Sequence, residues 1–166
     1  MGTQEAISYS DGASALSSAI PAFSKKGDLL LVDEAVNEPI LTGLNLSRST
    51  VQFFKHNDVA NLRAILESIA KDDVKKRRDA SQQRRFIVIE GLYRNTGDIC
   101  PLPEILALKE EFCYRVILDE SLSFGTLGTA TAYAVIIFEI NTNLGSYMIR
   151  YIHQAQQAVA LRSITA

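Results

Sequence analysis

The sequence predicts an α/β fold, a mainly parallel sheet with flanking helices, on two observations: short apolar runs rich in β-branched and aromatic residues, and helical patterns spaced between them. The runs are Leu29 to Val32, Thr50 to Phe54, Phe86 to Ile89 and Arg115 to Leu118, and each reads as a buried strand. Between the second and third, Val59, Leu62, Ile65, Leu66 and Ile69 fall on one helical face, with Asn57 or Asp58 placed to cap the first turn. A second helix is expected from Pro103, whose missing amide hydrogen costs nothing in a first turn. Glu104 then sits near its positive end, and Ile105, Leu106, Leu108 and Phe112 form its apolar face. Sheets of this kind gather ligands at the carboxyl ends of their strands, where Asp33, Glu90 and Asp119 stand.

A chain of 166 residues, 47% hydrophobic and 22% charged, is long enough to bury one sizeable core. Its formal charge of -2 supplies no global field that would draw in nucleic acid or an anionic membrane. The charged stretch Lys71 to Arg85 reads as a solvated connector, and no aromatic residue interrupts it to stack on bases. Cys100 and Cys113 lack the spacing of a zinc site or a disulfide framework, so no metal is expected and buried reduced thiols fit best. Toward the C-terminus the longest apolar run, Ala132 to Phe138, is far shorter than the ~20 residues that cross a bilayer as a helix, so no membrane span is expected in this chain.

From Ile7 to Gly128 a series of ordered segments carries a family likeness. The shorter ones are Ile7 to Ser10 (ISYS), Ala19 to Phe23 (AIPAF), Lys26 to Asp28 (KGD), Gly43 to Ser49 (GLNLSRS) and Phe54 to Asp58 (FKHND). Two are more specific: Arg85 to Glu104 (RFIVIEGLYRNTGDICPLPE) and Ile117 to Gly128 (ILDESLSFGTLG). On these segments the chain resembles the α-oxoamine synthase family and, within it, the non-catalytic subunits of serine palmitoyltransferase.

The resemblance implies part of a fold-type-I pyridoxal-phosphate transferase large domain over residues 1–128, followed by a divergent tail of uncertain structure over residues 129–166. The family's amino-terminal membrane helix, later large-domain strands and C-terminal small domain are not expected here. It also implies a partner and a setting: a heterodimer with a catalytic serine palmitoyltransferase subunit on the cytosolic face of the endoplasmic reticulum membrane. That complex condenses L-serine with palmitoyl-CoA to 3-ketosphinganine for sphingolipid synthesis. An inactive truncated product that only binds or competes for the catalytic subunit is the alternative.

Pyridoxal-phosphate chemistry needs a lysine for the Schiff base and a carboxylate that keeps the ring nitrogen protonated. By resemblance Asp119 is the position of that carboxylate, retained without its function; its plain reading is a strand-end acid that caps nearby amides. Three further positions are altered contacts or interface residues on the same resemblance: Asn37 replaces a ring-stacking histidine, Arg94 a serine near the cofactor, and Leu122 the histidine of the family's Asp-Glu-Ala-His motif. Lys25, Lys26, Lys55, Lys71, Lys75, Lys76 and Lys109 all stand outside a Schiff-base context. The cofactor is therefore expected in the partner subunit, with no catalytic residue in this chain. His56 reads as a residue that fixes the loop before a helix, and Gly97-Asp98 as a turn.

Overall fold

Five consecutive residues, Leu29 to Asp33, are buried on both sides of strand β2, the pattern of a strand covered by helices on its two faces. A computed structural model describes residues 5–78, 82–124, 126–127, 134–142 and 145–153. Their elements in chain order are β1 (Glu5–Ser8), α1 (Gly12–Phe23), β2 (Leu29–Asp33), α2 (Glu38–Ser47), β3 (Thr50–Phe54) and α3 (Val59–Lys76). Then come β4 (Arg85–Glu90), α4 (Leu102–Phe112), β5 (Arg115–Asp119), β6 (Ala134–Thr142) and β7 (Gly145–His153). The strands form one sheet in the order β1-β7-β6-β5-β4-β2-β3.

All four expected strands are present within a residue of their expected ends, and their pairings β3-β2, β2-β4 and β4-β5 are parallel. Strand β3 is not the buried strand expected, since it lies at the sheet edge with Thr50, Gln52 and Phe53 exposed and only Phe54 buried. Helix α3 carries the expected face, with Leu62 and Leu66 buried, and Asp58 is its cap, accepting from the Asn61 amide at 2.8 Å. Helix α4 begins with a proline in its first turn and buries Ile105 and Leu108.

The connector expected over Lys71 to Arg85 is helical in its first part, because α3 runs on to Lys76 and ends on Arg77 in the left-handed conformation. Cys100 is buried as expected but Cys113 is exposed, because it closes α4 with φ 57 and so turns outward from the helix end. Both thiols are free. Within the stretch expected as a tail, β6 and β7 form an antiparallel hairpin that joins the sheet beside β5, and β7 pairs in parallel with β1.

From β2 the chain passes through α2 to β3 at the sheet edge, then through α3 back past β2 to β4. Right-handed crossovers in opposite directions put α2 on one face and α3 on the other. The direction of winding reverses between β2 and β4, which opens a crevice at their carboxyl ends. Leu30, Leu31, Ile87, Val88, Ile117 and their neighbours fill the core below that crevice.

Candidate functional site at the carboxyl ends of the strands

Strands β2, β4 and β5 each finish on an acid, and all three, Asp33, Glu90 and Asp119, are buried. Glu90 and Asp119 are register partners on adjacent strands, so their carboxyl groups enter the crevice side by side. Isolated buried carboxylates are costly, and hydrogen bonds must offset the lost water.

Asn37 supplies several of those bonds. The chain turns sharply after β2, where the Asp33 carboxylate accepts from the Ala35 amide at 2.9 Å, and this turn delivers Asn37 over the end of β4. Its main-chain amide donates to Glu90 Oε1 at 2.6 Å, and its side-chain Nδ2 donates to Asp119 Oδ2 at 2.8 Å. Its Oδ1 accepts from the Ile40 amide at 3.1 Å, which caps α2. One buried asparagine thereby joins the ends of β4 and β5 to the start of a helix.

The other oxygen of each carboxylate has a local donor. Asp119 Oδ1 accepts from the Ser121 amide at 2.9 Å and from the Ser121 hydroxyl. Glu90 Oε2 accepts from the Arg94 amide at 3.1 Å, while the Arg94 side chain is exposed. Burial raises the Glu90 carboxyl above the ordinary carboxylate range, and the charge of Asp119 beside it pushes the same way. The amides of Arg94 and Asn37 act against that rise.

Of the four positions singled out in the sequence, the structure joins Asn37 directly to Asp119, and brings Arg94 to the same group through its backbone. Leu122 stands half-buried in the turn after β5, where its carbonyl accepts from the Thr126 hydroxyl. Behind that turn Gly91 passes so close to Ser123 that a Cβ would overlap its hydroxyl, so any side chain there would force Ser123 to shift. Glu90 is the residue that sequence reading left as a bare strand-end acid. Its link to Asn37 crosses 53 positions, and only its place after an apolar run signalled it.

A doubly wound sheet with buried acids at the reversal of its winding defines the class, an α/β domain of the ligand-handling kind. This chain belongs to the class I and II aminotransferase family, whose profile matches residues 1–149. It is 51% identical over 128 residues to long chain base biosynthesis protein 1c of Oryza sativa subsp. japonica, covering 77% of this chain and 26% of that protein. It is 45% identical over 152 residues to serine palmitoyltransferase 1 of Dictyostelium discoideum, covering 89% of this chain and 31% of the relative. Among solved structures, a serine palmitoyltransferase from S. paucimobilis with a bound PLP–myriocin aldimine superposes with a TM-score of 0.64 at 29% identity. That match covers 75% of this chain and 29% of the other. The chain thus spans between a quarter and a third of the length of these relatives.

Proposed function

We propose that this chain is part of a non-catalytic subunit of serine palmitoyltransferase, which supports condensation of L-serine with palmitoyl-CoA to 3-ketosphinganine by a catalytic partner subunit. The relatives' names support the assignment to sphingolipid long-chain-base synthesis. The observation that carries the non-catalytic reading is the Asn37–Asp119 contact. An acid that pairs with a pyridine nitrogen must keep an oxygen available to it. Asp119 is buried, and both its oxygens accept from donors within the chain, so that a ring nitrogen would have to share Oδ2 with the Asn37 side chain. Asn37 also offers no aromatic ring to stack on a cofactor. Both features count against pyridoxal phosphate at this position, and on this reading the cofactor belongs to the partner.

The role left to this chain is positional. Asn37 is itself buried and fully engaged, so it acts on a neighbouring subunit through the loops it holds, those of residues 34–36, 91–101 and 120–124, which form the surface at the strand ends. On this reading the complex is a heterodimer at the cytosolic face of the endoplasmic reticulum membrane. Among the described residues no helix is long and apolar enough to cross a membrane. The division into a large-domain portion over 1–128 and a divergent tail over 129–166 belongs to the same proposal. It rests on motif content and on the end of strand–helix alternation at β5, although the family match runs on to residue 149.

The test uses the chain alone and with its partner. Incubated with pyridoxal phosphate, the chain is expected to show no visible Schiff-base absorbance and no lysine adduct after borohydride reduction. Co-expressed with the catalytic homologue, it is expected to co-purify. A stoichiometric adduct at one lysine of this chain would overturn the non-catalytic reading, and failure to co-purify would overturn the assignment to a subunit. Limited proteolysis checks the division, with the first cuts expected beyond Gly128.

A further inference from the structure

Residues 91–101, between β4 and α4, cross the strand ends as a hairpin braced by its own backbone. The Tyr93 amide donates to the Asp98 carbonyl at 3.0 Å, Gly97 to the Tyr93 carbonyl at 2.9 Å and Cys100 to the Gly91 carbonyl at 3.1 Å. Gly97 has φ +79, which a residue with a side chain rarely adopts. These bonds give the loop its shape but not its attachment to β2 and β3.

Two neutral ties run from Asn57 Nδ2 to the Ile99 carbonyl at 3.3 Å and from Asn95 Nδ2 to the Ala35 carbonyl at 3.4 Å, and His56, in the turn between β3 and α3, makes the charged part of that attachment. Its Nδ1 lies 2.8 Å from Asp33 Oδ1, at the end of β2, and its Nε2 lies 3.1 Å from Asp98 Oδ2, in the loop. The ring also meets Tyr93 edge to face, with centroids 4.4 Å apart. A neutral imidazole carries one N–H and can serve one carboxylate. Two carboxylates facing opposite ring nitrogens are both satisfied only by the imidazolium.

We propose that His56 is a proton-operated clasp: protonated, it ties the end of β2 to the β4–α4 loop, and on losing its proton it lets go of Asp98 and loosens that loop. Release is one-sided because the two acids differ. Asp33 is fully buried and is also held by the amides of Ala35 and Asn57, whereas the Asp98 side chain is more than half exposed and water can take it over.

The other groups around the ring are divided: the Glu34 carboxylate favours the imidazolium, whereas the Lys55 ammonium and the Asn57 side-chain amide, a donor near Nε2, favour the neutral ring. From β2 and the turn after it come Asp33 and Glu34, whose Oε1 accepts the His56 amide at 3.2 Å. From its own turn come the Lys55 ammonium, exposed, and the Asn57 amide nitrogen, 3.4 Å from Nε2. The loop contributes Tyr93, Asp98 and the Thr96 hydroxyl, 3.4 Å from Nε2. Tyr93 is buried and remains un-ionised, since burial above all raises its hydroxyl. Partial burial works against a charged ring, but Asp33 and then Asp98 outweigh it, and the imidazole pKa is raised. The tie is therefore fully present below the ordinary imidazole value and is lost as pH rises through the raised one. Arg94, exposed on this loop, changes its freedom with the clasp.

The clasp is internal to this chain and stands whether or not the role proposed above holds. Its test follows the His56 ring resonances by NMR between about pH 5.5 and about pH 8.5, alongside hydrogen-exchange protection of the Tyr93, Gly97 and Cys100 amides. Protection, corrected for intrinsic exchange, is expected to fall as the ring deprotonates. The fall can reach about tenfold for each unit by which the ring pKa differs between the clasped and loosened loop. In His56→Gln, which cannot titrate, the same amides are expected to show no such step. Protection that stays flat through the ring titration, or an equal step in His56→Gln, would overturn the proposal. Asp98→Asn gives a milder check in which only the loop-side charge is removed. It is expected to lower the His56 midpoint, and an unchanged midpoint also overturns the clasp.

Discussion

Apart from Asp33, which pairs with His56, the two ends of the same sheet treat buried acids differently. At the amino ends, Asp28 and Asp73 are buried beside arginines: Arg84 Nε lies 3.2 Å from Asp28, and an Arg85 guanidinium nitrogen lies 2.6 Å from Asp73, with Arg78 at 3.6 Å. At the carboxyl ends, Glu90 and Asp119 are buried just as deeply, yet among the described residues their hydrogen-bond partners are amides and a serine hydroxyl, with no basic side chain. Ion pairing neutralises the first pair of acids. The second pair is held by neutral donors and the start of helix α2, which leaves Glu90 with a raised affinity for a proton. An arrangement of the second kind costs stability, and it sits at the reversal of winding where sheets of this class place their ligands.

The largest expected effect comes from adding charge to the neutral-donor end. Asn37→Asp places a third carboxyl beside Glu90 and Asp119, with an expected loss of about 4 kcal/mol at neutral pH. Urea unfolding at neutral and acidic pH measures it, and the loss should shrink in acid as the added group is protonated. A neutral-pH loss below that of Asn37→Ala would break the comparison.

Arg85→Met tests the opposite end. It leaves Asp73 buried with only the distant Arg78, for an expected loss of about 3 kcal/mol. Adding Asp73→Leu should recover much of that loss, because an apolar pair can replace a buried ion pair. No apolar replacement of Asn37 should have a matching effect, and one that restored stability would blur the distinction.

Gly91→Ala forces a methyl group against Ser123 beneath the strand ends, with an expected loss of about 2 kcal/mol by thermal unfolding. Ser123→Ala in the same protein should return part of it, since the overlap is with the hydroxyl. Additive losses in the double variant would mean that the two residues do not share this contact.

The smallest effect is a change of slope. Because Glu90 holds its proton more tightly in the folded chain, that chain binds more protons than the unfolded one once pH exceeds the ordinary carboxylate range. Stability from this group therefore falls as pH rises through its raised value. Glu90→Gln should flatten that fall in denaturation curves taken across mildly acidic pH, and an unchanged slope would place the proton elsewhere.

Strands β2, β4 and β5 were legible because burial on both faces leaves continuous apolar runs such as LLLV and FIVI, which have few other uses in a chain of this size. Strand β3, largely exposed at the sheet edge, was legible from its β-branched and aromatic residues alone. Helix α3 was legible from its spacing and α4 from its proline, since each signal is local. Helix α2 is not legible in the sequence, as its segment EPILTGLNLS contains a glycine that only its close approach to Leu16 and Ile20 on α1 explains. The hairpin of β6 and β7 was missed because an antiparallel partner for β5 has no signature in β5 itself.

The sequence by itself determined the α/β class, the acids at three strand ends and, through its motifs, the family likeness. Each of these depends on residue order over a short stretch, where periodicity, chain direction and side-chain chemistry suffice. Only the tertiary structure decided which acid meets which donor. Asn37 reaches Glu90 and Asp119 across 53 and 82 positions, and His56 reaches Asp33 and Asp98 across 23 and 42. Such meetings depend on strand order and on where the winding reverses, and a hydrogen bond depends on tenths of an ångström that sequence spacing does not encode.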